Sequence, residues 1–396
     1  MTLATPRTLA ELKAETQDRA DRQAHPCAGV TGEEAREALA KLKSLDPDDW
    51  AAVWSAIGDR HAEQAAAARD PKAAAQSWRR AVDLYLFARF PFESSPGKIA
   101  AQKKMLAAFA RFSALQDPPI ERITVDFNGK SVAGYLRVPK GAGPWPVLIA
   151  VDGLDSRKEY VAQRDAAYLE HGVASLAFDM PGTGESRVVP AAPGAEGLFS
   201  SAIDFIKTRR ELDASRIAIH GSSWAGHWAA RIAFCERARI RGAVVQGGPV
   251  HGYFQPDWQR TALGNREYLF GLFEARAALY GVSTLDDFLA YGPQLSLKDA
   301  GWLDRPSAPM LVVNGARDTQ VPFEDVVLLL QHGSPKEAWV NPEGGHMGRS
   351  KTLPGPVIFN TVTLPWVVRR LSADGSAQPA RTAPSGRTIP ASESVP

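Results

Sequence analysis

Residues 216–226 read RIAIHGSSWAG, and the next eight, HWAARIAF, continue with apolar residues at helical spacing. An apolar strand therefore runs into a sharp turn that opens a helix. A serine on such a turn needs small residues two places to either side, because the backbone passes close to itself there. Gly221 and Ala225 supply them for Ser223. Ser223 is the candidate nucleophile. The usual pattern has glycine where Ala225 stands, so slight crowding of the turn is expected. The competing reading is a tight strand–helix connection with an ordinary capping serine.

A serine hydroxyl is a weak nucleophile, so the first reading requires a histidine base and a carboxylate to orient it. Both occur downstream. Residues 310–322, MLVVNGARDTQVP, form an apolar strand followed by a loop that carries Asp318; the next short strand, 338–340, leads into NPEGGH and places His346 on a glycine-bearing loop. A lone turn aspartate or loop histidine means little, but Ser223, Asp318 and His346 together occur in the chain order of α/β-hydrolases. A tetrahedral oxyanion needs two backbone N–H donors, one of them from the residue after the nucleophile, Trp224. The other comes from the loop 152–157, DGLDSR, where Leu154 is the candidate and Asp155 the alternative. The loop 178–186, FDMPGTGES, is glycine-rich, but no phosphate-loop lysine follows it, and it is read as a structural turn. His220, His227 and His251 are read as packing or polar-lining groups rather than a second base.

Working outward, strand candidates are Arg122–Phe127, Gly134–Val138, Val147–Val151, Ala174–Phe178, Arg216–His220, Gly242–Gln246, Met310–Asn314 and Ala338–Val340. From Val147 onward most are near-continuous apolar runs, as expected of parallel strands covered on both faces. The expected class is α/β: an α/β-hydrolase fold, with a mostly parallel doubly wound sheet, an N-terminal helical domain and a helical cap insertion. Residues 1–117 form the helical domain. Residues 118–248 and 306–372 form the two parts of the core, 249–305 the cap, and 373–396 a disordered tail rich in Ser, Ala and Pro.

Within the first region, Leu39, Leu42, Leu45, Trp50, Val53, Trp54 and Ile57 fall at helical spacing; DPDD at 46–49 reads as a helix start and SSPG at 94–97 as a break. The stretch 78–92, WRRAVDLYLFARFPF, carries aromatics on more than one side, which reads as a core helix packed from both sides; lining a pocket is the alternative. An insertion after a strand's carboxyl end stands at the ligand crevice of an open α/β sheet. Among its aromatics, Tyr253, Phe254 and Trp258 are the candidates to face a substrate.

The 396 residues are 44% apolar and 23% charged, which excludes disorder as the whole answer, and 46 basic against 44 acidic residues leave a net charge of +2. Without a long run of one sign, a nucleic acid partner is not expected. Cys27 and Cys235 lie far apart and lack metal-ligand spacing, so neither a disulfide framework nor a zinc site is supported, and no metal or organic cofactor is expected. The start, MTLATPRTLAELKAETQ, lacks the apolar stretch of roughly 7–15 residues that a secretory signal needs, and no segment approaches the roughly 20 that span a bilayer. A soluble cytoplasmic protein is the expectation.

The motifs SWRRAVDLYLFARFPF, VDGLDSRKEY, FDMPGTGES, HGSSWAG, NGARDTQVP and PEGGHMG together resemble the fermentation/respiration-switch esterase family of the α/β-hydrolase superfamily. That family also holds 2,6-dihydroxypseudooxynicotine hydrolase and the fungal polyketide-shortening hydrolases. The resemblance runs from Leu39 to Leu371. It implies a Ser223–Asp318–His346 triad, a site covered by helices from the amino-terminal region and the cap, and a homodimer. It also draws attention to Asp155, because a nicotine-pathway relative is thought to use an acidic side chain at about this loop position. An aspartate is one methylene shorter than a glutamate, and the plainer role is to tie down its own loop. The implied reaction is acyl-enzyme hydrolysis of a carbon–carbon bond next to a carbonyl, in a 1,3-dicarbonyl or aryl ketone; hydrolysis of a bulky or aromatic carboxylic ester is the alternative. An aromatic small molecule is the expected substrate class in either case. A non-catalytic binding or regulatory protein on a hydrolase scaffold is a third reading, since a fold does not determine activity.

Overall fold

Apolar residues at helical spacing and three proline-opened starts, at Pro47, Pro71 and Pro96, shape the first part of the chain. The computed structural model describes residues 5–332 and 336–372. It forms five helices before the first strand: α1 (Leu9–Asp21), α2 (Gly32–Lys41), α3 (Pro47–Ala67), α4 (Pro71–Ala88) and α5 (Pro96–Ala114). Asp46 caps α3, accepting the Asp48 N–H at 2.7 Å, and Ser95 caps α5 ahead of Pro96. The aromatic stretch from Trp78 is a core helix packed from both sides. Val82 and Tyr85 of α4 face a cluster shared with the sheet, while Leu84, Phe87 and the following Phe90 pack with Trp50 and Trp54.

Eight strands follow: β1 (Glu121–Phe127), β2 (Lys130–Arg137), β3 (Trp145–Val151), β4 (Ala174–Phe178), β5 (Leu212–Ser222), β6 (Gly242–Gln246), β7 (Met310–Gly315) and β8 (Lys336–Asn341). They form one sheet in the order β1-β2-β4-β3-β5-β6-β7-β8. The pairs β1–β2 and β2–β4 are antiparallel and all others parallel. This is the expected α/β-hydrolase type of sheet. Strands such as β5 run beyond their apolar stretch because polar residues at strand ends still pair through the backbone, which an apolar pattern does not register.

Side chains alternate between two covered faces. In β3, Val147, Ile149 and Val151 enter one cluster and Leu148 and Ala150 the other; β6 and β7 divide in the same way. Later helices are α6 (Lys158–Arg164), α7 (Gly197–Thr208), α8 (Gly226–Cys235), α9 (Pro256–Leu263), α10 (Leu272–Tyr280), α11 (Leu285–Tyr291), α12 (Phe323–Gln331), α13 (Gly355–Ile358) and α14 (Leu364–Leu371). α7, α8 and α12 bury apolar residues on the first face; α5, α6 and α14 do so on the second. Each Val, Leu or Ile so buried contributes about 1.5–3 kcal/mol before chain entropy is counted.

Sheet order reverses at β3, which lies between β4 and β5. The loops leaving β3 and β5 therefore emerge side by side at the carboxyl edge, the position where open α/β sheets bind ligands. Between β6 and β7, helices α9 to α11 pack Leu263, Leu279, Tyr280 and Phe288 into the first-face cluster. The strap between α9 and α10 instead crosses to the amino-terminal helices, where Leu269 is buried and Tyr268 and Phe270 pack alongside it. The tail expected from residue 373 lies outside the described residues. Among the described residues no helix is long and apolar enough to cross a membrane.

Candidate active site

Ser223 directly follows β5 with φ of +54°, a left-handed conformation uncommon for a residue with a side chain. The turn closes on itself at two glycines. A Cβ on Gly221 would collide with the Ala225 carbonyl, and one on Gly226 would lie 2.5 Å from Gly248 Cα. Ala225 is itself buried in the core, and the close backbone approach falls at the two glycines on either side of it. From the β3 loop, Gly153 comes so near that its Cβ would lie 2.7 Å from Ser223 Cβ and 3.0 Å from Oγ.

Ser223 Oγ lies 2.7 Å from His346 Nε2, and His346 Nδ1 lies 2.9 Å from Asp318 Oδ2. The other Asp318 oxygen accepts backbone N–H groups of Gln320 and Val321 at 2.7 and 3.1 Å, and Asn314 Nδ2 donates to Oδ2 at 2.9 Å. Burial pushes the Asp318 carboxyl up, but His346 and these donors outweigh it and hold the group below its ordinary value. An ionised Asp318 selects the imidazole tautomer with the proton on Nδ1. Nε2 is then the acceptor for the Ser223 O–H. The three side chains, 95 and 28 residues apart in sequence, meet at one sheet edge because β5, β7 and β8 end there.

The loop after β3 is held from outside the sheet. Arg157 donates to Glu93 through Nε at 3.1 Å and Nη2 at 2.7 Å, and to the Leu154 carbonyl at 3.3 Å. Glu93 is buried, yet Arg157, Arg89 and Arg187 hold its carboxyl down to about 2. Asp155 Oδ2 accepts the Tyr268 hydroxyl at 2.8 Å and lies 3.1 Å from His25 Nε2; Arg89 donates to the Asp155 carbonyl. Burial pushes Asp155 up, but His25, Tyr268 and Arg89 hold it below the usual carboxylate range. Asp155 thus joins three distant segments, where its plainer reading tied only its own loop.

Residues 33–338 match the family described as Esterase FrsA-like. The chain belongs to this family. It is an esterase or hydrolase of α/β-hydrolase type, in keeping with the resemblance carried by its motifs. Esterase FrsA of Vibrio cholerae serotype O1 is 27% identical over 306 residues, covering 73% of this chain and 70% of that relative. Esterase FrsA of Klebsiella pneumoniae is 24% identical over 356 residues, covering 79% and 85%. Among solved structures, 2,6-dihydroxy-pseudo-oxynicotine hydrolase superposes with a TM-score of 0.74 at 23% identity, covering 87% of this chain and 94% of its own. AbyA5 superposes with a TM-score of 0.70 at 24% identity, covering 92% and 93%. These two likenesses speak to the fold.

Two of the three aromatic candidates in this FrsA-like chain do not face an open site. A side chain lining a water-accessible pocket keeps accessible surface, but Tyr253 and Phe254 are 2% and 0% exposed. Phe254 packs edge-on against His227 and Trp224, with ring centroids at 5.0 and 5.9 Å, and the Arg276 guanidinium lies 4.9 Å from the Tyr253 ring. The cause is Asp325 of α12, which accepts the N–H groups of Val250, His251, Gly252 and Tyr253 and draws this segment inward. Trp258 is partly exposed, and its indole donates to the Gln320 carbonyl at 3.3 Å, two residues from Asp318.

Burial pushes His220 and His227 down to about 3, so both are neutral; His220 Nε2 lies 3.2 Å from Gln246 Oε1. His251 Nδ1 lies 2.8 Å from Ser296 Oγ. In the 178–186 loop, Asp179 accepts the Lys158 and Glu185 N–H groups and pairs with Lys158 Nζ at 3.0 Å, as a structural turn requires. Among the described residues no group of three or more His, Cys, Asp or Glu is placed to hold a metal ion. Sequence reasoning passed over Asn314, Gln246, Asp325 and Tyr268. Asn314 sat inside the NGARD motif, Gln246 at the end of a strand candidate and Tyr268 among the aromatics of the insertion, but none was given a role; Asp325 lay outside every stretch singled out.

Proposed function

We propose that this protein is a serine carboxylesterase acting through an acyl-enzyme, with Ser223 as nucleophile, His346 as general base and then acid, and Asp318 as the orienting carboxylate. One observation carries the reading: the continuous series of Ser223 Oγ to His346 Nε2 at 2.7 Å and His346 Nδ1 to Asp318 Oδ2 at 2.9 Å. His346 takes the Ser223 proton as Oγ adds to the ester carbonyl. The Trp224 N–H and a β3-loop amide, Leu154 with Asp155 as the alternative, hold the oxyanion. Collapse expels the alkoxide, which His346 protonates, and a water molecule repeats the sequence to free the acid. Trp258, partly exposed and bonded to the Gln320 carbonyl two residues from Asp318, supports an ester with an aryl or bulky group.

Ester hydrolysis stands ahead of carbon–carbon cleavage, reversing the order expected at first. Curated relatives at 24–28% identity are named esterases, whereas the oxynicotine hydrolase contributes a likeness of fold. A panel of aryl esters and aryl 1,3-diketones, with products identified, tests the choice. Turnover of esters supports it, and turnover of diketones alone overturns it. A fluorophosphonate probe should label one serine per chain, and none in Ser223→Ala. Folded wild type that takes no label would return the protein to the binding-module reading.

A further inference from the structure

Asn314 is the next-to-last residue of β7, wholly buried, and joins both halves of the acid–base pair. Its Nδ2 donates to Asp318 Oδ2 at 2.9 Å, the same oxygen that receives His346 Nδ1. Its Oδ1 accepts the backbone N–H of Met347, the residue after His346, at 3.0 Å. The amide has one sensible orientation: flipped, it would set oxygen against a carboxylate and NH₂ against an N–H donor.

Asp318 has no spare freedom in this arrangement. Oδ1 is held by two backbone N–H groups, and Oδ2 is shared between His346 and Asn314. Met347 has φ of +63°, an uncommon conformation for a side-chain-bearing residue that surrounding contacts must maintain. Its N–H is held by Asn314, and its carbonyl by Gln246 Nε2 at 3.1 Å. Gln246 does not reach the acid. Asn314 alone of these two amides spans acid and base, and so sets their separation.

We propose that Asn314 is a positioning residue for the reaction, aligning Asp318 with His346 and fixing the backbone that carries the imidazole. The inference rests on the reading of Ser223, His346 and Asp318 as nucleophile, base and orienting acid. It follows from chemistry common to oriented histidines, where the group behind the imidazole sets its direction. Loss of such a contact typically costs on the order of 10–100-fold.

The test measures the rate constant for fluorophosphonate labelling, per folded molecule and well below each variant's Tm, with kcat and KM on an aryl ester that wild type turns over. N314A removes both contacts. N314D is nearly isosteric and keeps the acceptor for Met347, but replaces the donor to Asp318 with a second carboxyl. Both should label about 10–100-fold more slowly and lose kcat while KM stays within about twofold. The double variant N314A/D318N should label no more slowly than D318N, because the two act as one unit. If N314A does not fold, N314D decides. Folded N314D labelling at the wild-type rate, or a double variant slowed by the product of the single effects, overturns the inference and leaves the hydrolase reading standing. Wild type that takes no label overturns both.

Discussion

The carboxyl edge of β5 to β7 and the junction at Asp155 hold their residues by opposite means. At the edge, contacts join neighbouring strand ends at short range: close-packed glycines at 221, 226 and 153, the amides of Asn314 and Gln246, and one carboxylate, Asp318, held by His346, Asn314 and two backbone N–H groups. At the junction, contacts span most of the chain and are largely ionic or aromatic. Glu93 meets Arg157 and Arg187, Asp155 meets His25, and Arg7 donates to the Tyr268 and Leu269 carbonyls at 2.8 and 2.6 Å. Phe90 stacks on Tyr268 with centroids 5.5 Å apart, and Phe270 packs edge-on against Trp50 at 4.9 Å. Neutral buried hydrogen bonds do not titrate, whereas ionised carboxylates couple folding to pH. The edge carries one such depressed carboxylate, Asp318, whereas the junction gathers two, Glu93 and Asp155, so acid should loosen the junction more than the edge.

The largest effect should come from the edge. Ser223→Ala should lower ester turnover by about 10⁴-fold or more while leaving thermal unfolding within a degree or two. A variant that kept even a tenth of the activity would remove the contrast between a chemical centre and its surroundings. Next is Glu93→Gln, which leaves the buried Arg157 and Arg89 without their carboxylate. A cost of about 3 kcal/mol in stability is expected, measured by denaturant unfolding.

Acid should reproduce that loss in the wild type. The Glu93 carboxyl is depressed in the folded state, from 4.5 to about 2, so its stabilisation is complete above about pH 4.5 and disappears as pH falls through about 2. Asp155 acts in the same direction. Stability of Glu93→Gln should fall less steeply over that window, and parallel slopes would refute the assignment. Third, Gly153→Ala should slow fluorophosphonate labelling by about 100-fold with little change in Tm, because the added methyl must displace Ser223 or the loop. The smallest effect belongs to Tyr268→Phe, which deletes one hydrogen bond to an ionised Asp155 and should cost about 1.5 kcal/mol. Faster proteolysis within 265–271 at unchanged labelling rate would sharpen the division between edge and junction; slower labelling would blur it.

Much of the edge was legible in the chain. Short β-rich runs, most of them near-continuously apolar from Val147 onward, marked the eight strands, and HGSSWAG marked the turn, because strand burial and backbone close approach constrain residues near in sequence. Asp318 and His346 were legible as loop residues after two such strands. The junction was not. Nothing in the spacing of Asp155, His25, Arg89 and Tyr268 connects residues separated by up to 243 positions, and the pairing exists only once the strap reaches the amino-terminal helices. The aromatics of the insertion misled for a related reason. A tyrosine and a phenylalanine beside a crevice have the same composition whether they line it or pack behind it, and Asp325, from a later helix, decides between the two.

Local patterning alone thus determined the sheet, the strand-to-helix turn and the identities of the three chemically suited side chains, since steric and hydrophobic periodicity act over a few residues. Only the folded chain decided that Ser223, His346 and Asp318 come within hydrogen-bonding distance, that Asn314 bridges acid and base, and that Asp155 is held by the amino-terminal helices and the strap. Hydrogen bonds and ion pairs depend on distances of a few tenths of an ångström between residues far apart in sequence, and those distances are set by packing.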